Sequence, residues 1–177
     1  LEFVLLRIEQ LPDLLGITRG LSIVDGFRAA VAGLRAEAGL AHEATIVGAF
    51  PVIAGALVQR AKGNATIAPD PTASHAADTL SMMLGRKPNA RETAALDAYF
   101  VTVCDHGMNA STFATRVVAS TQADLFAAVT AGYCALTGPL HGGAYEAVLR
   151  MLNEIGSVAR VPEFIKRVKS GDGKDRL

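Results

Sequence analysis

The stretch DHGMNASTFATRVVASTQADLFAAVTAGYCALTGPLHGG, residues 105–143, decides the fold. It contains two histidine-bearing helix breaks with two helices between them. DHGMN, residues 105–109, interrupts a helical pattern with Asp, Gly and Asn, and a new helix is expected from Ser111 or Thr112 to Ala119. A second is expected from about Gln122 to Leu136, where AAVTAGYCAL puts small residues on most faces, the pattern of a helix buried against close neighbours. Gly138-Pro139 ends that helix and Gly142-Gly143 leads into the next. Antiparallel packing of the two helices would bring both breaks to the same end of one helical layer.

The pattern continues outward in both directions. Upstream, Phe27–Ala38 reads as a short helix stopped by Gly39, and Thr45–Lys62 as a buried one ending at Gly63-Asn64. ATIAPDPTAS, residues 65–74, is an extended connector with two prolines. Ser74 can cap a helix running to Met83 and stopped by Gly85. Asn89 and Glu92 have capping-box spacing and open a helix to about Val103. Downstream, Ala144–Ile155 carries Ala144, Val148, Met151, Leu152 and Ile155 on one face. Gly156 ends it, and Pro162 starts a last helix reaching Lys169. No strand alternation of useful length and no repeat interrupts this, so the fold class is all-α.

Bulk composition narrows the function. Half of the 177 residues are hydrophobic, which supports a sizeable core within one domain or one part of a larger one. Seventeen basic residues balance seventeen acidic ones, which argues against a basic face for nucleic acid. LEFVLLRIEQ, residues 1–10, lacks the basic start of a signal peptide. The apolar run Ile46–Val58 is short for a membrane span and contains Pro51, so it reads as a core helix and no membrane partner is expected. Cys104 and Cys134 sit in apolar helical contexts, as buried reduced thiols would, which suggests a cytoplasmic protein. No CxxC or HxxxH spacing suggests a metal.

The chemistry concentrates on two histidines. His141 would lie close to a helix start, where free N–H groups and the positive dipole end disfavour imidazolium. A neutral imidazole there can donate one N–H to a carbonyl oxygen and stabilise an enolate. A plain connector that contains a histidine is the alternative reading of this turn. At His106, Asp105 can orient the ring, and Asn109 or Ser111 can cap the following helix. A polar capping cluster with no ligand is the alternative there. His42 reads as a solvated helix-start residue, and His75 as a helix-surface residue behind the Ser74 cap. Arg116, on the helix beside the break, could face an anion there, but a surface or buried ion pair is expected of it.

DHGMNASTFATRVVAST followed by DLFAAVTAGYCALTGPLHGGAYEAVLRMLNEIG resembles the citrate synthase family. The upstream PDPTASHAADTLSMMLGRKPNARETAALDAYF is similar to the family's preceding segment, so the resemblance runs from Thr45 to Leu177 and is weak over residues 1–41. The resemblance implies condensation of acetyl-CoA with oxaloacetate, followed by thioester hydrolysis. It gives His141 the role of hydrogen-bond donor to the thioester carbonyl, and gives oxaloacetate to His106, Asn109 and Ser111. It implies acyl-CoA as co-substrate with no covalently bound cofactor, and a homodimer, with Thr45–Lys62 and Gln122–Leu136 as candidate interface helices. Arg160, Lys166, Arg167 and Lys169 could face CoA phosphates, but a solvated face is expected of them. Residues 1–177 would form part of a single helical large domain, without the small domain that closes over CoA.

Two departures bear on this reading. The family's second catalytic histidine, in a GFGHR-like motif, its catalytic aspartate and its carboxylate-binding arginines have no counterpart in these residues. Tyr145 stands where the family usually has Asn. The jumbled similarity near the N-terminus, SIVDG running directly into FRAAVAGL, favours a larger enzyme of which these residues are pieces over a degenerate paralogue. The alternatives are a 2-methylcitrate synthase using propionyl-CoA, and an inactive helical binding or assembly domain.

Overall fold

The computed structural model describes residues 10–36, 39, 41–105, 107–142 and 144–171, and every regular element among them is helical. The chain separates into two compact units, residues 1–136 and 137–177.

The first unit begins with α1 (Leu11–Ile17), which the sequence reading did not anticipate; a proline in its first turn suits a helix start. Ser22 opens α2 (Ile23–Gly33), its Oγ accepting the Asp25 N–H at 3.1 Å and donating to Asp25 Oδ2 at 2.8 Å. This helix starts and ends earlier than Phe27–Ala38. The reason is local: the Ser22-x-x-Asp25 cap fixes its start, and Leu34 turns extended to enter the core, where it is 4% exposed.

α3 (His42–Ala61) is the central element. It has the length and apolarity of a membrane span, but Ala49, Val52, Ile53, Ala56 and Leu57 are packed inside the unit, as expected of a core helix. Much of its apolar surface is covered within the unit, although Val47 is exposed. Pro51 lies within it, and Gly63, with φ at 76°, follows its end. His42 is its first residue, with its ring 5.4 Å from that of Phe126.

α4 (His75–Leu84) opens on the predicted Ser74 cap and ends at Gly85, whose φ of 76° is left-handed. It packs on α3 through a close approach: a Cβ on Gly55 would lie 2.6 Å from Met82 Cβ. The fully buried Gln59 uses this proximity, donating from Nε2 to Met82 O at 2.7 Å and to Met83 O at 3.2 Å. Arg60 likewise donates to Leu15 O and Thr18 O at the end of α1.

α5 (Ala90–Val103) starts on the predicted capping box of Asn89 and Glu92. Arg86 forks onto Glu92 at 2.9 and 2.7 Å and, with the Asn89 N–H, holds that carboxyl down to about 2. α6 (Ala110–Ala119) and α7 (Leu125–Leu136) complete the unit. α7 begins later than Gln122 because Asp124 provides the cap, Oδ1 accepting the Ala127 N–H at 2.8 Å, while Gln122 sits at φ 64°. Tyr133 joins α7 to α2, its ring 5.0 Å from Phe27 and its hydroxyl donating to Val24 O at 3.3 Å. Burial pushes the Tyr133 hydroxyl pKa up.

The cysteines depart from expectation: both are exposed. Cys104 follows α5, a helix with no fully buried residue. Cys134 lies two positions past buried Gly132, roughly 200° round α7. Burial of α7 is confined to Phe126, Ala128 and Gly132, less than its small residues suggest.

In the second unit, α8 (Ala144–Ile155) ends at Gly156, and a 3₁₀ turn (Val158–Arg160) leads into α9 (Val161–Lys169). Val148, Leu149 and Leu152 of α8 are exposed. Arg167 pairs with Glu154 and lies over the Phe164 ring.

One buried group yields a test. Asp78 is 1% exposed; its Oδ1 accepts the Asp70 N–H at 2.8 Å, and its Oδ2 has no hydrogen-bond partner. Desolvation raises its pKa, so its neutral form favours folding and ionisation costs stability as pH rises above the unfolded value. Asp78→Asn keeps the acceptor and removes the buried charge. It should stabilise the protein at pH 7 by about 1 kcal/mol, and this gain should shrink as pH approaches about 4, the unfolded aspartate value. Melting curves of both proteins across that range give the comparison. A constant difference would refute the raised pKa.

Candidate functional site

The break at residues 105–109 is built from side chains that hold backbone. Asp105 Oδ1 accepts the Gly107 N–H at 3.2 Å, and Gly107 takes φ 65°, a conformation glycine adopts without a Cβ penalty. Asn109 then caps α6. Its Oδ1 accepts the Thr112 N–H at 2.8 Å and its backbone oxygen accepts the Phe113 N–H at 2.8 Å. Ser111 Oγ donates to the same Oδ1 at 2.8 Å, so two of the expected substrate residues are brought together and Asn109 is identified as the cap. His106 lies outside the described residues.

The start of α6 is placed by α7. Thr115 Oγ1 donates to Ser111 O at 2.9 Å, one turn back along its own helix. A Cβ on Gly132 would lie 2.1 Å from Thr115 Oγ1 and 3.3 Å from Ser111 O. The beginning of α6 therefore lies against the last turns of α7, and the two helices run antiparallel. The sequence reading named neither Thr115 nor Gly132. The signal for them was a glycine in the middle of an apolar helix, where a close approach is a standing reason for one.

A cleft of about 520 Å³ opens beside this break. Its walls include Cys104, Asp105, Gly107, Thr112 and Arg116. Arg116 is exposed and makes no ion pair among the described residues, against the expectation of one.

His141 belongs to the second unit, in the turn between α7 and α8. Its backbone N–H donates to Gly138 O at 3.0 Å, and its side chain is half-buried. It stands three residues ahead of Ala144, the first residue of α8, as the helix-start argument requires. Tyr145 is in the first turn of α8, and its side chain lies outside the described residues. His75 is half-buried, with its ring 5.3 Å from that of Phe100. Among the described residues, no group of three His, Cys, Asp or Glu side chains is arranged to hold a metal ion.

Residues 7–177 match the family model described as "Citrate synthase, C-terminal domain", which extends into the N-terminal region where the resemblance is weak. The glyoxysomal citrate synthase of Cucurbita maxima is 45% identical over 132 residues, covering 72% of this chain and 26% of that protein. A 2-methylcitrate synthase of Mycobacterium tuberculosis is 38% identical over 131 residues, covering 74% of this chain and 33% of that protein. The fold is also that of citrate synthase from Thermoplasma acidophilum, solved as a ternary complex with carboxymethyl coenzyme A and oxaloacetate. That likeness has a TM-score of 0.76 at 27% identity and covers 99% of this chain and 49% of the other. The chain spans about a quarter to a third of the length of these curated relatives and about half of the solved one.

The α6–α7 contact is testable. Gly132→Ala should lower stability by about 1–3 kcal/mol, because the new methyl meets Thr115 and the Ser111 carbonyl. Adding Thr115→Ala should recover much of that loss. Urea unfolding of the two single variants and the double variant measures the coupling. Additive effects would mean that the helices do not meet at these residues.

Proposed function

The chain belongs to the citrate synthase family, and from that membership we propose that it supplies part of an active site condensing oxaloacetate with acetyl-CoA to give citrate and CoA. The observation that supports this most directly is the break at Asp105–Asn109. There the family motif is held in a definite local geometry, with Ser111 bonded to the capping Asn109 beside the end of α7.

In this reading His106, Asn109 and Ser111 bind oxaloacetate. His141 donates a hydrogen bond to the thioester oxygen of acetyl-CoA as the methyl group loses a proton. A neutral donor at a helix start can stabilise the resulting enolate without first taking up a proton itself. The enolate carbon attacks the keto carbon of oxaloacetate: the new C–C bond forms as the keto π pair moves onto its oxygen, which takes up a proton to become the hydroxyl. Water then cleaves the thioester and releases the CoA thiol. The group that accepts the methyl proton is assigned to no residue of this chain. A homodimer using the outward face of α7 and a cytoplasmic location complete the proposal.

Propionyl-CoA is the second acyl donor to consider, because a relative at 38% identity is a 2-methylcitrate synthase. A thiol-release assay with oxaloacetate and each acyl-CoA separates the two. Turnover with either supports the reading, and turnover with neither, on protein of confirmed sequence, overturns it. His141→Ala should abolish turnover while leaving oxaloacetate affinity within about threefold, since its contact is with the other substrate. His106→Ala should instead weaken oxaloacetate binding by about tenfold or more in calorimetry.

A further inference from the structure

Asp78 is a buried ionisable group that the candidate site leaves without a role. It lies in the first turn of α4, and its Oδ1 accepts the Asp70 N–H at 2.8 Å. Asp70 belongs to the extended connector, residues 65–74, that leads to the Ser74 cap. Ile67 packs this connector against the apolar core, and the Asp70–Asp78 bond ties it to α4. The second carboxyl oxygen of Asp78, Oδ2, is buried without a hydrogen-bond partner. A neutral carboxyl is tolerated in such a place far better than a carboxylate, which would leave a buried charge with one oxygen unpaired.

The groups around it act on that charge. Desolvation opposes ionisation most, and the Asp70 N–H favours it. The Asp70 carboxylate opposes it by repulsion, and bonds from the Thr72 hydroxyl and N–H keep Asp70 itself charged. His75, three residues earlier on α4, favours ionisation while protonated. Lys87 and Asp97 line the same cleft, Arg86 is taken by Glu92, and α3 contributes Lys62, bound to Met83 O in the last turn of α4. We propose that Asp78 is a pH-sensitive latch: uncharged, it fastens the connector to α4, and ionised, it lets the connector part from α4. Parting hydrates Oδ2 and separates it from Asp70, which removes both costs together. The α3–α4 contact at Gly55 and Gln59 involves Met82 and Met83, a turn further along α4, and stays closed. The latch holds at low pH and releases as pH rises above the ordinary aspartate value of about 4. The connector, α4 and the start of α5 wall a cleft of about 870 Å³, which release would widen.

Residue-resolved hydrogen exchange of the full chain from about pH 4.5 to about pH 7.5 tests this. After correction for base catalysis, protection of the Asp70 amide should fall about tenfold with rising pH, while the Ile53 and Leu57 amides of α3 keep theirs. In D78N, which keeps Oδ1 and cannot ionise, Asp70 protection should stay constant within about twofold. D70N removes the repulsion and should move the release to higher pH; it carries the comparison if D78N does not fold. H75Q should leave the fall in place. An Asp70 amide whose protection ignores pH overturns the latch, as does a fall that survives in D78N or is abolished by H75Q. A parallel fall at Ile53 and Leu57 would make the transition global and overturn it as well.

Discussion

The last turn of α3 ties the first unit together. A helix ends with carbonyls that have no donors of their own, and α1 and α4 are too short to persist alone. Both take those donors from α3. Gln59 reaches Met82 O and Met83 O, Lys62 reaches Met83 O, and Arg60 reaches Leu15 O and Thr18 O. Gly55, one turn earlier, makes the α4 contact possible by admitting Met82 where a side chain would stand. Gln59 is itself held, its Oε1 accepting from Asn64 at 3.0 Å. Once α4 is fixed, Gly85 and the Asn89 capping box set the start of α5. The end of α5 is where the candidate site begins.

The second constraint is steric. α6 has no fully buried residue, so its place follows less from a large apolar face than from one close approach, that of Gly132 to Thr115 and Ser111. A contact of this kind fixes register along the helix as well as distance, because moving α6 by one residue would put a different side chain over the glycine. The capping residue Asn109 lies at the end of the helix held in this way. The local geometry of this break thus rests on packing one turn away.

The sequence made the helix starts legible where a short polar side chain carries the cap. Ser74 and the Asn89–Glu92 pair were readable from spacing alone, and each caps its helix; at the third start spacing left Asn109 and Ser111 as alternatives, and Asn109 is the cap. The same signal lay in Ser22-x-x-Asp25 and went unread, because the apolar run from Phe27 drew the boundary too late. Sidedness was harder to read. Periodicity says that α5 and α7 are helices, but the face that finds a partner depends on elements distant in the chain. That is why Cys104 and Cys134 are exposed in apolar surroundings. Thr115 and Gly132 could be paired only once the antiparallel register was known.

The described residues of the break are held by short hydrogen bonds to backbone. Asp105 closes a turn onto Gly107, and Gly107 occupies a backbone region that would strain any other residue. On the far side Asn109 accepts three hydrogen bonds, from the Ser111 hydroxyl and from the Thr112 and Phe113 amides. Of these, the bond to Oδ1 satisfies the Thr112 amide, a first-turn donor with no partner inside the helix, while the Phe113 amide opens the helix ladder.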